Sequence, residues 1–177
     1  AEPYSLGDTI VTWTVTDTEG NTATATQTVT VEDNENPTIS TQADISQTTD
    51  ANLGTATVTW TVPTAADNVG VTSLTFTHTP GDSFPVGTTT VTYTALDLAG
   101  NSATESFDVT ITDEESPTIT APADVTVSTD AGLSTATGVT LGIPTTADNV
   151  AVDFVSNNSA EPYSLGDTIV TWTVTDT

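Results

Sequence analysis

A chain of 177 residues with 24 acidic side chains, no Lys, no Arg and one His carries a formal net charge of −24 at pH 7. With no cation to meet phosphate, nucleic acid is excluded as a partner, and an anionic membrane surface repels the chain. The zero counts of Cys and Lys remove disulfides and Lys-based crosslinks, and no apolar run is long enough for direct membrane insertion.

In chain order the elements are β-strands. Residues 1–18 read AEPYSLGDTIVTWTVTDT, and Val11, Trp13 and Val15 alternate with Thr. Period-two alternation predicts a strand with one face in a core and a Thr-covered face in water. The turn DTEGN at 17–21 leads into a Thr ladder over 22–30, read as the solvent face of a second strand. An acidic linker, EDNENP at 32–37, follows. Strands are then expected at 38–41, 56–62, 71–77, 88–95 and 106–112, with the turn DLAGN at 97–101 before the last. No helical period emerges.

The chain also repeats itself. VEDNENPTI at 31–39 returns as ITDEESPTI at 111–119, and TAADNVGV at 64–71 returns as TTADNVAV at 145–152. Residues 160–177 copy residues 1–18 without one change. These offsets describe tandem all-β sandwich modules of about 80 residues, in the usual domain range. The boundaries divide the chain into residues 1–36, the C-terminal part of a preceding module; 37–116, a complete module; and 117–177, a module lacking its last strand.

Strand parity sends three acidic segments to one end of each module: the linker, the DN loop and the turn after the fourth strand. Carboxylates that converge without basic partners repel one another. A hard cation relieves this, and calcium takes about six to eight oxygens from such loops in flexible geometry. The expected ligands are Asp33, Glu35, Asp67, Asn68 and Asp97 at the first junction. At the second they are Asp113, Glu115, Asp148, Asn149 and Asp176. Magnesium prefers tighter octahedral shells, and zinc and copper lack their usual ligands. The same Asp and Asn residues also serve as turn caps, which needs no ion.

Other residues carry weaker signals. His78 is expected as a surface strand residue, and the shortage of bases and nucleophiles around it argues against catalysis. Trp13, Trp60, Trp172 and Tyr93 fall on the inward phase and are expected in the core, while Tyr4 and Tyr163 beside Pro belong to loops. Thr9 and Thr168 lie in DTI sequences that resemble an O-glycosylation acceptor, and Asn157 heads an N-glycosylation sequon.

FPVGTTTVTYTALDLAGN at 84–101, then FDVTITD at 107–113 and Pro117, resembles the HYR (hyalin repeat) domain. Many members of that family carry a Cys pair, which this sequence lacks. The resemblance implies tandem immunoglobulin-like β-sandwich modules with an extracellular adhesion or scaffold role. The near-identical array is similar to the repeats of giant Bacteroidetes surface adhesins, including gliding adhesins, which implies the cell surface of a bacterium. The function expected is a structural repeat of a long filament or adhesin stalk, stiffened by calcium at module junctions. Its partners would be neighbouring repeats of the same chain, with lateral filament partners or surface polysaccharide as further candidates. The alternative is that the repeats themselves hold carbohydrate or surfaces multivalently.

Overall fold

A computed structural model describes residues 3–177. Ala1 and Glu2, which open the 1–36 segment, lie outside the described residues. Among the described residues all regular structure is β. The first half of the chain forms β1 (Gly7–Thr16), β2 (Thr22–Val31), β3 (Thr38–Ile39), β4 (Ile45–Thr48), β5 (Thr55–Thr57), β6 (Ala65–Ala66), β7 (Val71–Phe76) and β8 (Ser83–Pro85). The second half forms β9 (Gly87–Asp97), β10 (Ser102–Thr112), β11 (Thr118–Thr120), β12 (Thr135–Ala136), β13 (Thr145–Ala147), β14 (Val152–Asn157), β15 (Tyr163–Ser164) and β16 (Trp172–Asp176).

The largest sheet has the strand order β4-β10-β9-β7. β9 and β10 are its long members: Val91, Tyr93 and Ala95 alternate with Thr in β9, and Phe107, Val109 and Ile111 alternate with Asp108 and Thr110 in β10. Val91, Tyr93, Ala95 and Asp97 all point inward along β9. Asp97 is therefore buried, at 2% exposure, because it continues the apolar row of its own strand. β4 runs parallel to the end of β10, with Ile45 opposite Val109.

Two compact units make up the chain. One takes residues up to 43, 61–79 and 91–107; the other takes 44–60, 80–90 and 108–177. In the first, β7 pairs antiparallel with β9 and β3 with β6, and the Phe76 and Tyr93 rings lie 5.7 Å apart. In the second, β5 pairs with β8, and Ala56, Val58, Phe84, Val109 and Ile111 are fully buried. The acidic linker at 32–37 falls inside the first unit and its counterpart before Pro117 inside the second.

Several expectations need correction. The strand expected at 56–62 is laddered only over Thr55–Thr57. Beyond it, Val58 N donates to the Asp82 carbonyl and the Val58 carbonyl accepts Gly81 N, and Pro63 has no N–H to offer. Trp13 is 63% exposed rather than in a core: among the described residues β1 and β2 form a two-stranded ladder without a second layer over it. Trp60 is half-buried with its ring 6.1 Å from Phe84, Trp172 is half-buried, and Tyr93 is in the core as expected. Tyr163 lies on a short strand rather than in a loop, opposite Ala136.

The two identical segments fold differently. Residues 7–16 form a ten-residue strand against the strand that follows them, with Trp13 opposite Ala25. In the copy only Trp172–Asp176 is extended into a ladder, and it pairs with the preceding β14. Local sequence permits the strand in both places, and the available partner decides its length.

Candidate metal centre

Asp67 lies in the loop between β6 and β7. Its Oδ2 accepts the N–H groups of Val69 (2.8 Å) and Gly70 (3.0 Å). Gly70 has φ 138°, a conformation that a side chain would strain. Asp97 ends β9 and closes the DLAGN turn. Its Oδ1 accepts Gly100 N (2.6 Å) and Asn101 N (2.8 Å), and its Oδ2 accepts Asn101 Nδ2 (2.7 Å). Asp33, two residues past β2, accepts Glu35 N at 3.2 Å and Asn68 Nδ2 at 3.4 Å on Oδ1. Asn101 Nδ2 also reaches the Asp33 carbonyl at 3.3 Å.

These turns gather three carboxylates whose ligand oxygens all lie within 4.8 Å of one another: Asp33, Asp67 and Asp97. Asp33 Oδ2 and Asp67 Oδ1 are buried atoms with no hydrogen-bond partner. An ionised carboxylate only accepts, so the three groups cannot satisfy one another. Lys and Arg are missing from the whole sequence, so neither neutralises the cluster. Leaving buried acceptors unmatched is costly, and a hard cation with oxygen ligands suits this donor set. At Asp97 burial works to raise the carboxyl, but the Asn101 side chain and the N–H groups of Asn101, Gly100 and Ala99 outweigh it. The Asp97 carboxyl is held below its ordinary value.

Of the other residues expected at this site, Asn68 orients Asp33 through its amide nitrogen. Glu35 contributes its backbone N–H and is exposed, and its carboxylate is outside the group of three. Asn101 was missed by sequence reasoning, although its place in the repeated DxxGN turn carried the signal. The same turn recurs at Asp17, whose Oδ1 accepts Asn21 N at 2.8 Å and whose Oδ2 accepts Asn21 Nδ2 at 2.8 Å.

The second set is built differently. Asp113 Oδ1 accepts Asn149 Nδ2 (3.0 Å) and Glu115 N (3.1 Å), and Asp148 Oδ2 accepts Val150 N and Ala151 N, both at 2.8 Å. Asn149 Nδ2 also donates to Thr49 Oγ1 (3.2 Å) and the Leu53 carbonyl (3.1 Å). Glu115 Oε2 is taken up by Asn52 N at 2.8 Å. Asp113 Oδ2, Asp148 Oδ1 and Asn149 Oδ1 remain buried without partners. Among the described residues, Asp176 is not brought into a three-carboxylate group with Asp113 and Asp148. It ends β16 opposite Val152. The loop residues Thr49, Asn52 and Leu53 were not foreseen.

The remaining candidates lie apart. His78 sits half-buried in a bend after β7, not on the strand, with Nδ1 3.1 Å from Thr77 Oγ1. Thr9 is half-buried on β1, and Thr168 is exposed on irregular backbone. Asn157 is exposed at the end of β14, its Oδ1 accepting Ser159 N at 2.9 Å. Tyr4 is 51% exposed.

An all-β chain with its apolar rows turned inward and its acids at the strand ends defines an immunoglobulin-like β-sandwich class. Within that class, residues 32–111 match the HYR domain. The chain as a whole is similar to hyalin of Strongylocentrotus purpuratus, at 31% identity over 184 residues and 99% of this chain. It is also similar to hyalin of Lytechinus variegatus, at 36% identity over 183 residues and 98% of this chain. It spans 15% of the first relative and 34% of the second.

Proposed function

We propose that this chain is an extracellular, adhesion-related repeat segment in which bound calcium stiffens the junctions between HYR-type modules. Similarity to hyalin over almost the whole chain supports the repeat reading. The observation that carries the calcium reading is the convergence of Asp33, Asp67 and Asp97 within 4.8 Å, with two of their oxygens buried and unpartnered. Asp33 Oδ2, Asp67 Oδ1 and the Asp97 carboxylate would hold the ion. Asp33 belongs to the linker, Asp67 to a loop and Asp97 to a strand end, so one cation ties three distant segments together. With the ion bound, the cluster's mutual repulsion becomes an attraction shared by all three. The setting expected is a cell surface; the array of near-copies without Lys or Arg fits the bacterial one.

Calcium titration followed by thermal melting tests this. A ligand at about 100 times its Kd stabilises by about 2.7 kcal/mol. That shifts Tm upward by roughly ten degrees or more for a domain of this size. An unchanged Tm between EDTA and millimolar calcium, with unchanged amide exchange at 33–36, overturns the reading.

A further inference from the structure

The turn after β4 is held from outside itself, and the residues that hold it come from the linker and the DN loop beyond it. β4 runs parallel to the end of β10. Thr49 N donates to the Thr112 carbonyl at 3.0 Å, so the turn at 49–54 starts beside the point where β10 passes into the linker at Asp113. Within the turn, Asp50 N donates to the Thr55 carbonyl (2.8 Å), Leu53 N to the Asp50 carbonyl (2.9 Å) and Thr57 N to Asp50 Oδ2 (2.9 Å). The Asn52 N–H and the Leu53 carbonyl take no part in closing it. Asn52 has φ 61°, and it is the one non-glycine residue at positive φ among the described residues. Asn accepts that conformation more readily than most side chains do.

Two side chains and one close approach take the turn up. Glu115 Oε2 accepts Asn52 N at 2.8 Å. Asn149 Nδ2 donates to the Leu53 carbonyl at 3.1 Å and to Thr49 Oγ1 at 3.2 Å. A Cβ at Gly54 would stand 3.0 Å from the Asn149 backbone oxygen and 3.7 Å from Val150 Cγ2. The turn thus presents mostly backbone, while the linker and the DN loop present side chains. In a chain without Lys or Arg, a carboxylate such as Glu115 finds its donors on N–H and O–H groups, and an N–H bond to a carboxylate is stronger than one between neutral groups. These contacts leave Asp113 Oδ2, Asp148 Oδ1 and Asn149 Oδ1 unused.

Both halves of the contact recur along the chain. TDANLGTAT at 49–57 returns as TDAGLSTAT at 129–137. The second turn closes in the same way, with Asp130 N on the Thr135 carbonyl (2.8 Å) and Leu133 N on the Asp130 carbonyl (3.0 Å). Gly132 stands where Asn52 stands and has φ 78°. The shape of the turn is therefore set by its own residues. The holding pair recurs as well, Glu35 with Asn68 and Glu115 with Asn149. One difference bears on fit: Ser134 occupies the place of Gly54, and Ser brings the Cβ for which the Gly54 seat has no room.

We infer that the 49–54 turn is a latch by which one repeat holds the next, gripping the linker at Glu115 and the following DN loop at Asn149, and admitting no side chain at position 54. The grip is made by protein groups alone and needs no cation. Turns of the 49–54 and 129–134 kinds are not interchangeable at this seat, so the latch also selects which repeats fit together. The contact joins two different surfaces, so it gives the array a direction. It shares with the proposed function only the division into repeats; the calcium reading and the latch stand or fall separately.

Amide exchange on the full chain, read by NMR in EDTA and again in millimolar calcium, tests this. Asn52 is exposed, so its N–H exchanges freely unless Glu115 holds it. In the wild type it should be protected by at least about tenfold in both buffers, the worth of one charge-assisted bond. Glu115→Ala, at a separation of 63 residues, and Gly54→Ser should each return it to the free rate. Asn52→Gly should leave the N–H at this position protected. The Leu53 N–H, bonded within the turn, and the Val91 and Tyr93 amides of β9 should stay protected throughout, which shows that turn and sheet are intact. An Asn52 N–H at the free rate in both buffers overturns the inference. So does protection unmoved by Glu115→Ala or by Gly54→Ser, and so does an equal loss in Asn52→Gly and Gly54→Ser. Protection that appears only in calcium overturns the latch and leaves the calcium reading standing. Protection in both buffers, with a Tm indifferent to calcium, supports the latch and counts against the calcium reading.

Discussion

Asn101 holds Asp97 twice, through its backbone N–H at 2.8 Å and its side-chain amide at 2.7 Å, and the same amide reaches Asp33. A buried carboxylate at the end of a core row is thus fixed by a residue that is itself tied to the linker. Asn101→Ala removes one donor from Asp97 and the contact to the Asp33 carbonyl. The expected outcome is a fall in Tm of roughly 4–8 °C, the equivalent of about 1 kcal/mol in a domain of this size. Melting in EDTA isolates this effect from any bound ion, and Asn101→Asp should not restore the wild-type value.

Acid titration reads the same relationship. The Asp97 carboxyl is held below its ordinary value of 3.8 by its donors, against the effect of burial. A depressed folded-state value means the unfolded chain binds the proton more readily. The stabilisation is therefore complete above the unfolded value and disappears as pH falls through the folded one. Stability should be flat with respect to this group from pH 7 to about 5 and should decline below about 4. Asp97→Asn should flatten that acid limb in urea titrations at successive pH values. A limb as steep as that of the wild type would show that Asp97 is not its source.

Asp67→Asn separates repulsion from metal binding. Its Oδ2 closes a turn, its Oδ1 is buried without a donor, and its carboxylate groups with those of Asp33 and Asp97. Replacing the carboxylate removes one like charge and one anionic ligand together. In EDTA the variant should melt at or above the wild type, and in calcium below it, with affinity reduced about tenfold or more. The crossing of the two melting curves is the measurement. A variant that is less stable in both buffers would point to a turn cap alone.

What the sequence discloses follows physical lines. β9 is legible because VTYTA alternates through a strand that is flanked on both sides, so period and burial coincide, and the same phase carries Asp97 inward. The joining of the linker, the DN loop and the DLAGN turn was legible from parity, because strand count fixes which end of a sheet a loop occupies. β4 was not, since ISQT has little apolar signal and is strand only because β10 lies beside it. Trp13 shows the reverse case: its alternation is clear, yet no second layer covers it among the described residues. Residues 1–18 and 160–177 make the point without any change of sequence, because their strands differ with their partners. Thr49, Asn52 and Leu53 were hidden because two act through backbone atoms, which leave no mark on residue type.

Gly54 tests how tightly the second acidic set is closed. A Cβ at this position would stand 3.0 Å from the backbone oxygen of Asn149, which cannot swing away as a side-chain tip would. Gly54→Ala should cost about 1–3 kcal/mol through this overlap. Denaturant unfolding gives the number, and amide exchange at Val150 and Ala151 should rise as the Asp148 turn loosens.

Asn149 is the residue on which that set turns, since its single amide nitrogen lies within bonding distance of Asp113, Thr49 and the Leu53 carbonyl. Asn149→Leu leaves the Asp113 carboxylate and the Leu53 carbonyl without this donor, and the expected loss is about 1–3 kcal/mol in any buffer. Asn149→Asp makes the same loss and adds a charge facing Asp113, so it should be the less stable of the two in EDTA. It also turns a mixed amide and carboxylate set into one with the three-carboxylate character of Asp33, Asp67 and Asp97. Calcium should therefore rescue Asn149→Asp and leave Asn149→Leu where it was. Melting curves of both variants across a calcium titration decide it. Equal responses would mean that the buried oxygens of Asp113 and Asp148 do not face a common cation site.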